Sequence, residues 1–308
     1  MGKIAFLFSG QGAQSAGMGK DIYENSANAR ALYEMGERYR AGVKATCFES
    51  EGAELTQTEN AQPCLFLTAL AFANELKNAG VQADAVAGFS LGEIPALAFS
   101  GALSEEDAFQ LVCLRGETMR QAAEKNQGGM AAVLKLDAET VERVCEKHGV
   151  WAVNYNCPGQ ISCAGKTENL IGFCEEIKSL GGRAVKLAVS GAFHTPYMQE
   201  VRAALEKRLQ DMQIQAPKIT LYSNVTGEKY PADKEGIISL IGAQAASPVK
   251  WEKILRNLWA DGVDTFIEVG AGTTLLGFVK RTLPEARAFG VTCVETLQTA
   301  LQALQGAE

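Results

Sequence analysis

The chain has 308 residues, enough to bury a large core and to hold two domains. A hydrophobic content of 47% is that of a globular protein, and a net charge of −7 with a pI near 5.2 argues against general nucleic-acid binding. No apolar run reaches the length of a membrane span, and Ile4 to Phe8 is too short for a signal sequence, so a cytoplasmic protein is expected.

The eight cysteines show no Cys-x-x-Cys or Cys/His ligand spacing. Without a secretion signal they read as reduced thiols, with no metal site among them.

Ile4 to Phe8 reads as a buried strand, followed by the turn Ser9-Gly10-Gln11-Gly12-Ala13-Gln14. The turn is not a dinucleotide fingerprint, because Ser15 stands where the third glycine belongs. Nor is it a P-loop, because Met18 and not Lys follows Gly17. Two readings stay open: backbone N–H groups that face an anion, or a plain strand-to-helix turn. Asp21 to Tyr39 looks like one helix. Gln62 to Ala79 is a longer one, apolar on most faces and therefore buried, with Gly80 as its C′ residue.

Asp84 to Gly88 is a short, small and apolar strand that runs into Gly88-Phe89-Ser90-Leu91-Gly92. Gly-x-Ser-x-Gly between a strand and a helix is the nucleophile-elbow pattern. Side chains at Gly88 or Gly92 would crowd the sharp turn that lifts Ser90 Oγ into the open. The helix from Leu91 to Phe99 would point free N–H groups at an oxyanion there. Pro95 removes one N–H early in that helix, and a local irregularity is expected around it. With 31 glycines in the chain, the motif also arises by chance. Ser104 then caps a helix with acids in its first turn, running to about Glu124 and carrying Arg115. By itself an arginine in a helix reads as a surface residue.

From Met130 the pattern changes. Strand Met130–Leu136, helix Ala138–His148, strands Trp151–Asn156 and Gln160–Ala164 around Cys157-Pro158-Gly159, helix Glu168–Leu180 and strand Arg183–Val189 follow in turn. This β-α-β-β-α-β order is ferredoxin-like. The expected organisation is a small ferredoxin-like domain, 126–189, inserted in a large α/β domain made of 1–125 and 190–308. Alternating strands and helices in the large part indicate a hydrolase-like, mostly parallel sheet.

Only two histidines are present. His148 ends a helix before Gly149, a favoured place for a cation. His194 lies in Ser190-Gly191-Ala192-Phe193-His194-Thr195-Pro196, just before a helix from Pro196 to Met212, and suits a structural or a catalytic role equally. Strand Ile219–Ser223, a helix opened by Ser247-Pro248-Val249-Lys250-Trp251 and running to Trp259, strand Thr265–Val269 and helix Thr273–Arg281 complete the pattern.

These pieces, in this order, resemble the malonyl-CoA:acyl-carrier-protein transacylases of fatty-acid synthesis. The resemblance is carried by Phe8 to Gln14, Gly88-Phe89-Ser90-Leu91-Gly92-Glu93, Arg115-Gly116, Gly129-Met130-Ala131-Ala132 and Asn154-Tyr155-Asn156-Cys157-Pro158-Gly159-Gln160. It continues through Val189-Ser190-Gly191-Ala192-Phe193-His194, Gln244 with Ser247 to Trp251, and Glu268-Val269-Gly270. It implies an acyltransferase that moves malonyl from malonyl-CoA to the pantetheine thiol of acyl carrier protein through an ester on Ser90. His194 would be the base, held by a backbone carbonyl near Gln244 in place of a triad carboxylate. The backbone N–H groups of Gln11 and Leu91 would form the oxyanion hole. Arg115 would pair its planar fork with the malonyl carboxylate. In that family a Phe beside the catalytic His accompanies a preference for malonyl over methylmalonyl, which Phe193 would fit. No cofactor is implied beyond the coenzyme A thioester that is the substrate.

The chain departs from the family's pattern at two places: Phe89 stands where His commonly precedes the serine, and Ala271 where Pro is common. Phe89 flanks the acyl pocket. Carrier proteins of this pathway are acidic, so an acidic enzyme needs a local basic patch. Arg183 and Lys186, with Lys280 and Arg281, are the candidates, expected near the cleft between the domains; neither nucleic acid nor membrane is expected as a partner. The alternatives are a serine hydrolase or thioesterase, a trans-acting acyltransferase of a polyketide pathway, and a catalytically silent interaction module.

Overall fold

The computed structural model describes residues 2–50 and 52–305. Among these, nine strands form two sheets: β1 Lys3–Phe8, β2 Ala85–Gly88, β3 Gly128–Leu134, β4 Val150–Cys157, β5 Gln160–Lys166, β6 Arg183–Lys186, β7 Thr220–Tyr222, β8 Val263–Val269 and β9 Arg287–Val291. The large sheet has the order β7-β2-β1-β8-β9 and is parallel throughout. Its central strand is apolar without alternation because both faces are covered. Phe6 and Phe8 of β1 face the helices Thr58–Asn78 and Glu93–Phe99, while Ala5 and Leu7 face Trp251, Leu255 and Phe266 on the other side.

The small sheet has the order β4-β5-β3-β6, and every pairing in it is antiparallel. Numbered within the unit, that is 2-3-1-4, the ferredoxin-like arrangement. Val133 and Ile161 turn one face of it onto helices Ala138–His148 and Thr167–Ser179. Met130 and Ala132 alternate to the opposite face and line the cleft against the large sheet. No helix among the described residues is long and apolar enough to cross a membrane.

Several expected elements are corrected. The helix expected over Asp21–Tyr39 is two, Lys20–Asn25 and Ala27–Tyr39. Ser26 is extended between them, and its side chain accepts from Ala29 N at 3.1 Å, so a local cap interrupts the helical run. The strand expected to reach Val189 stops at Lys186; Leu187 N still donates to the Met130 carbonyl at 2.9 Å, and Leu187 and Val189 line the cleft. The helix expected from Pro196 opens as a 3₁₀ turn, Pro196–Met198, and becomes α-helical over Gln199–Gln210. Pro95 is accommodated by a change of helix type: Ser90–Gly92 is a 3₁₀ turn and the α-helix begins at Glu93. Pro95 thus falls in the first turn, where its missing N–H has no intrahelical partner to lose. The helix Lys234–Gln244, the helix Val294–Gln305 and strand β9 are additional elements that the sequence pattern did not announce.

Candidate active site

Ser90 sits where β2 ends, with φ at 52°. A non-glycine residue there is held against its own preference by its surroundings, at roughly 1–3 kcal/mol. Those surroundings are tight. A Cβ on Gly88 would lie 1.9 Å from the Gly92 carbonyl, and one on Gly92 would lie 2.2 Å from the Phe8 carbonyl. Both glycines are therefore required by close backbone approach. The parallel pairing of Phe8 with Gly88 brings the Ser9–Gln14 turn beside the elbow. Gln11 of that turn lines the same cavity as Ser90. Leu91 N–H belongs to the first turn of a 3₁₀ helix, where N–H groups have no internal acceptor.

His194 Nε2 lies 2.8 Å from Ser90 Oγ. Its Nδ1 lies 3.0 Å from the main-chain carbonyl of Gln244. A carbonyl only accepts, so Nδ1 carries the proton and Nε2 is free to accept from the serine hydroxyl. Burial holds the imidazole down at a pKa of about 4, helped by the Arg115 charge and opposed by the Gln244 carbonyl. The ring is neutral at pH 7 and ready to take a proton. His148 is the other kind of histidine. It ends the helix Ala138–His148 on the small domain, 2.7 Å from Glu176.

Arg115 is not on the surface. It is 1% exposed, on the helix Glu105–Asn126. Its Nη1 donates to Gln62 Oε1 at 2.8 Å, and its Nη2 donates to Gln244 Oε1 at 2.9 Å and to Ser90 Oγ at 3.2 Å. All three partners are uncharged. Burial pulls its pKa down to about 10, and Glu93 partly restores it.

The cleft between the sheets holds a cavity of ≈ 260 Å³. Gln11, Phe89, Ser90, Phe193 and His194 face it from the large sheet, and Asn154 and Gln160 from the small one. Phe89 packs edge-on against Trp251 with ring centroids 5.4 Å apart. Arg115 meets this cavity through Ser90, whose Oγ accepts from Arg115 Nη2, while the Gln244 amide oxygen accepts from the same nitrogen. Among the described residues no group of three or more His, Cys, Asp or Glu side chains converges as a metal site.

Three residues of this site had no role assigned from the sequence. Asn224 accepts from Ser90 N at 2.8 Å and donates to the Gly88 carbonyl at 2.7 Å, clamping both sides of the elbow. It follows β7, at the carboxyl edge of the parallel sheet where ligand sites gather, and that position was the available signal. Glu93 is a lone acid at the head of an apolar helix, 1% exposed, and burial lifts its carboxyl to about 7. Glu268 is buried as well and lifted to about 7 by burial; it accepts from Leu276 N at 2.9 Å, at the start of helix Thr274–Thr282.

The acyl transferase domain family matches residues 5–305. The malonyl CoA-acyl carrier protein transacylase of Bacillus subtilis (strain 168) is 39% identical over 312 residues, covering 99% of this chain and 98% of the relative. The crystal structure of malonyl CoA-acyl carrier protein transacylase from Clostridium perfringens superposes with a TM-score of 0.94 at 36% identity, over 99% of this chain and 98% of that one. A type II PKS acyl-carrier protein in complex with its malonyl-transacylase provides a further match, with a TM-score of 0.94 at 28% identity over 98% of this chain and 99% of that one.

Proposed function

The chain belongs to the malonyl CoA-acyl carrier protein transacylases, within the acyl transferase domain family, and from that premise we propose how its residues perform the transfer. The donor is malonyl-CoA and the acceptor is the pantetheine thiol of acyl carrier protein. Ser90 Oγ attacks the thioester carbonyl while His194 Nε2 takes its proton. The oxyanion is received by the N–H groups of Gln11 and Leu91. The carbon–sulfur bond breaks, coenzyme A leaves with the proton returned by His194, and malonyl remains as an ester on Ser90. The carrier thiol then gives its proton to His194, attacks the ester and regenerates Ser90. Phe193 and Phe89 shape the acyl pocket, and Gln244 holds both His194 and Arg115.

The observation that carries the choice of acyl group is Arg115. A generic esterase has no use for a buried cation 3.2 Å from its nucleophile. A malonyl carboxylate entering this closed site needs such a partner, since an unpaired buried charge is costly. Mass spectrometry after mixing with malonyl-CoA tests the reaction. Malonyl mass on the Ser90 peptide that then moves to added carrier supports transfer; loss to water at the same rate without carrier supports a hydrolase. The polyketide carrier of one structural neighbour favours a second acceptor class, and comparing the two carriers as acceptors decides between them.

We also propose the domain division 126–189 within 1–125 and 190–308, supported by the strands of the small sheet, which all fall between Gly128 and Lys186. Residues 1, 51 and 306–308 of that division lie outside those described. A cytoplasmic location goes with the thioester substrate.

For carrier docking, the register splits the expected patch. Arg183 pairs with Leu134 and Lys186 with Ala131, so the two project from opposite faces of the sheet. Arg183 shares the cleft face. Arg281 donates to Gln160 Oε1 at 2.7 Å, and Gln160 lies across Leu134 from Arg183, about two strand spacings or 10 Å away. Arg281, the exposed Lys280 and Arg183 therefore form the basic rim we assign to the acidic carrier, with Lys186 outlying.

A further inference from the structure

The transfer steps above leave Glu93 without a task, although it is 1% exposed. The carboxylate is ringed by donors. The Tyr230 hydroxyl donates to Oε1, Gln244 Nε2 donates to Oε2 at 3.0 Å, and the Asn224 backbone N–H reaches both oxygens at 3.3 and 3.4 Å. An ionised carboxylate accepts only, so this set fits its charged form. Burial raises the group to about 7, against the pull of these donors and of the Arg115 charge.

The same partners grip the reacting residues. Asn224 clamps Ser90 N and the Gly88 carbonyl. Gln244 donates from Nε2 to the Ser90 carbonyl, accepts at Oε1 from Arg115 and offers its main-chain carbonyl to His194. A primary amide has one donating and one accepting end. Glu93 and the Ser90 carbonyl occupy the donating end, so the accepting end must face Arg115. Reversed, the amide would set its NH₂ against a guanidinium and its oxygen against a carboxylate.

We propose that Glu93 is a positioning residue: through the Gln244 amide and Asn224 its buried carboxylate seats the Ser90 elbow and aims Arg115. Its distance from Arg115 also matters. A carboxylate in direct contact would saturate the guanidinium and compete with the malonyl group. With one amide between them, Glu93 offsets the buried charge and leaves the fork available.

This role rests on the transacylase reading, so the parent protein is assayed first. Parent that takes no malonyl from malonyl-CoA removes the reading and the role together. With labelled parent in hand, Glu93→Gln keeps the volume but sets an NH₂ among donors. Single-turnover acylation of Ser90 is followed by mass spectrometry with malonyl-CoA and with acetyl-CoA, beside a thermal melt. Loss of hydrogen bonds to a charged group predicts about a 10- to 100-fold fall with malonyl-CoA and a smaller fall with acetyl-CoA. A folded variant with parent rates overturns the role. So does an equal proportional loss on both thioesters that tracks the folded fraction, because a merely structural residue does not change the preference between acyl groups. If Glu93→Gln does not fold, Tyr230→Phe removes one donor and keeps the ring; a weaker drop in the same preference is expected, and an unchanged preference sinks the role.

Discussion

The helix Glu105–Asn126 carries two arginines into two different regions of the molecule. Arg120 faces outward and is met by carboxylates: Glu117 at 2.7 Å, Glu124 at 2.5 Å and Glu59 at 3.3 Å. Those neighbours hold its guanidinium even more firmly charged than usual. Arg115 faces inward and is met by two amides and a hydroxyl, with its pKa pulled down to about 10 by burial. The two histidines divide in the same way. His148 pairs with a carboxylate near the surface of the small sheet's helices, whereas His194 is buried against a serine and a carbonyl. Around the cleft, ionisable side chains are held by neutral partners. On the outer faces Arg120 and His148 are met by carboxylates. A buried ion held only by neutral groups retains its capacity to meet an incoming charge or proton, and that capacity is what a site of acyl transfer uses.

The strongest way to break this contrast is to exchange the histidines' fates. His194→Ala is expected to slow acylation of Ser90 by about 10²- to 10⁴-fold, the range for a lost general base. His148→Ala should leave the acylation rate near that of the parent. Stopped-flow acylation with malonyl-CoA measures both, and equal effects would erase the distinction between the regions.

The arginines come next. Truncating one partner of a buried charge pair costs about 2–5 kcal/mol, so Arg115→Ala should lose roughly 30- to several-thousand-fold in kcat/KM for malonyl-CoA and keep or gain acetyl transfer. Arg120→Ala should change neither, since its interactions lie on the outer face. The pH profile sharpens the point. The acid limb of kcat/KM should fall below the ordinary imidazole value, because burial and the Arg115 charge both disfavour the protonated ring. Removing Arg115 takes away one of those causes, so with acetyl-CoA the limb of Arg115→Ala should move to higher pH. A limb that stays in place would show that the two side chains are not coupled.

The smallest effect belongs to the rim. Reversing Lys280 and Arg281 to Glu should raise the KM for carrier and leave that for malonyl-CoA nearly unchanged, since rim charges act mainly on encounter. Steady-state kinetics with each substrate varied provide the check, and parallel rises in both KM values would argue against docking there.

Much of this was legible in the chain because it depends on local steric and periodic rules. Gly88 and Gly92 announce a turn that no side chain tolerates, and the continuous apolar run Ile4–Phe8 announces a strand covered on both faces. The β-α-β-β-α-β order specifies the small sheet, whose strands then pair as that order demands. Even the split of Arg183 from Lys186 follows from an odd separation along a strand. Other features depend on which distant segments meet. Arg115 reads as a surface residue until the helices around it bury it, and Gln244 sits at the end of a helix that the sequence pattern did not reveal. Glu93, Asn224, Tyr230 and Gln244 are separated by more than a hundred residues at the widest, and no spacing rule links them. The sequence by itself determined the elbow, the small sheet, most strands of the large one and the types of residue available for chemistry. Only the tertiary structure decided which charges are buried and which atoms hold them, because burial and hydrogen-bond complementarity arise when the segments pack together.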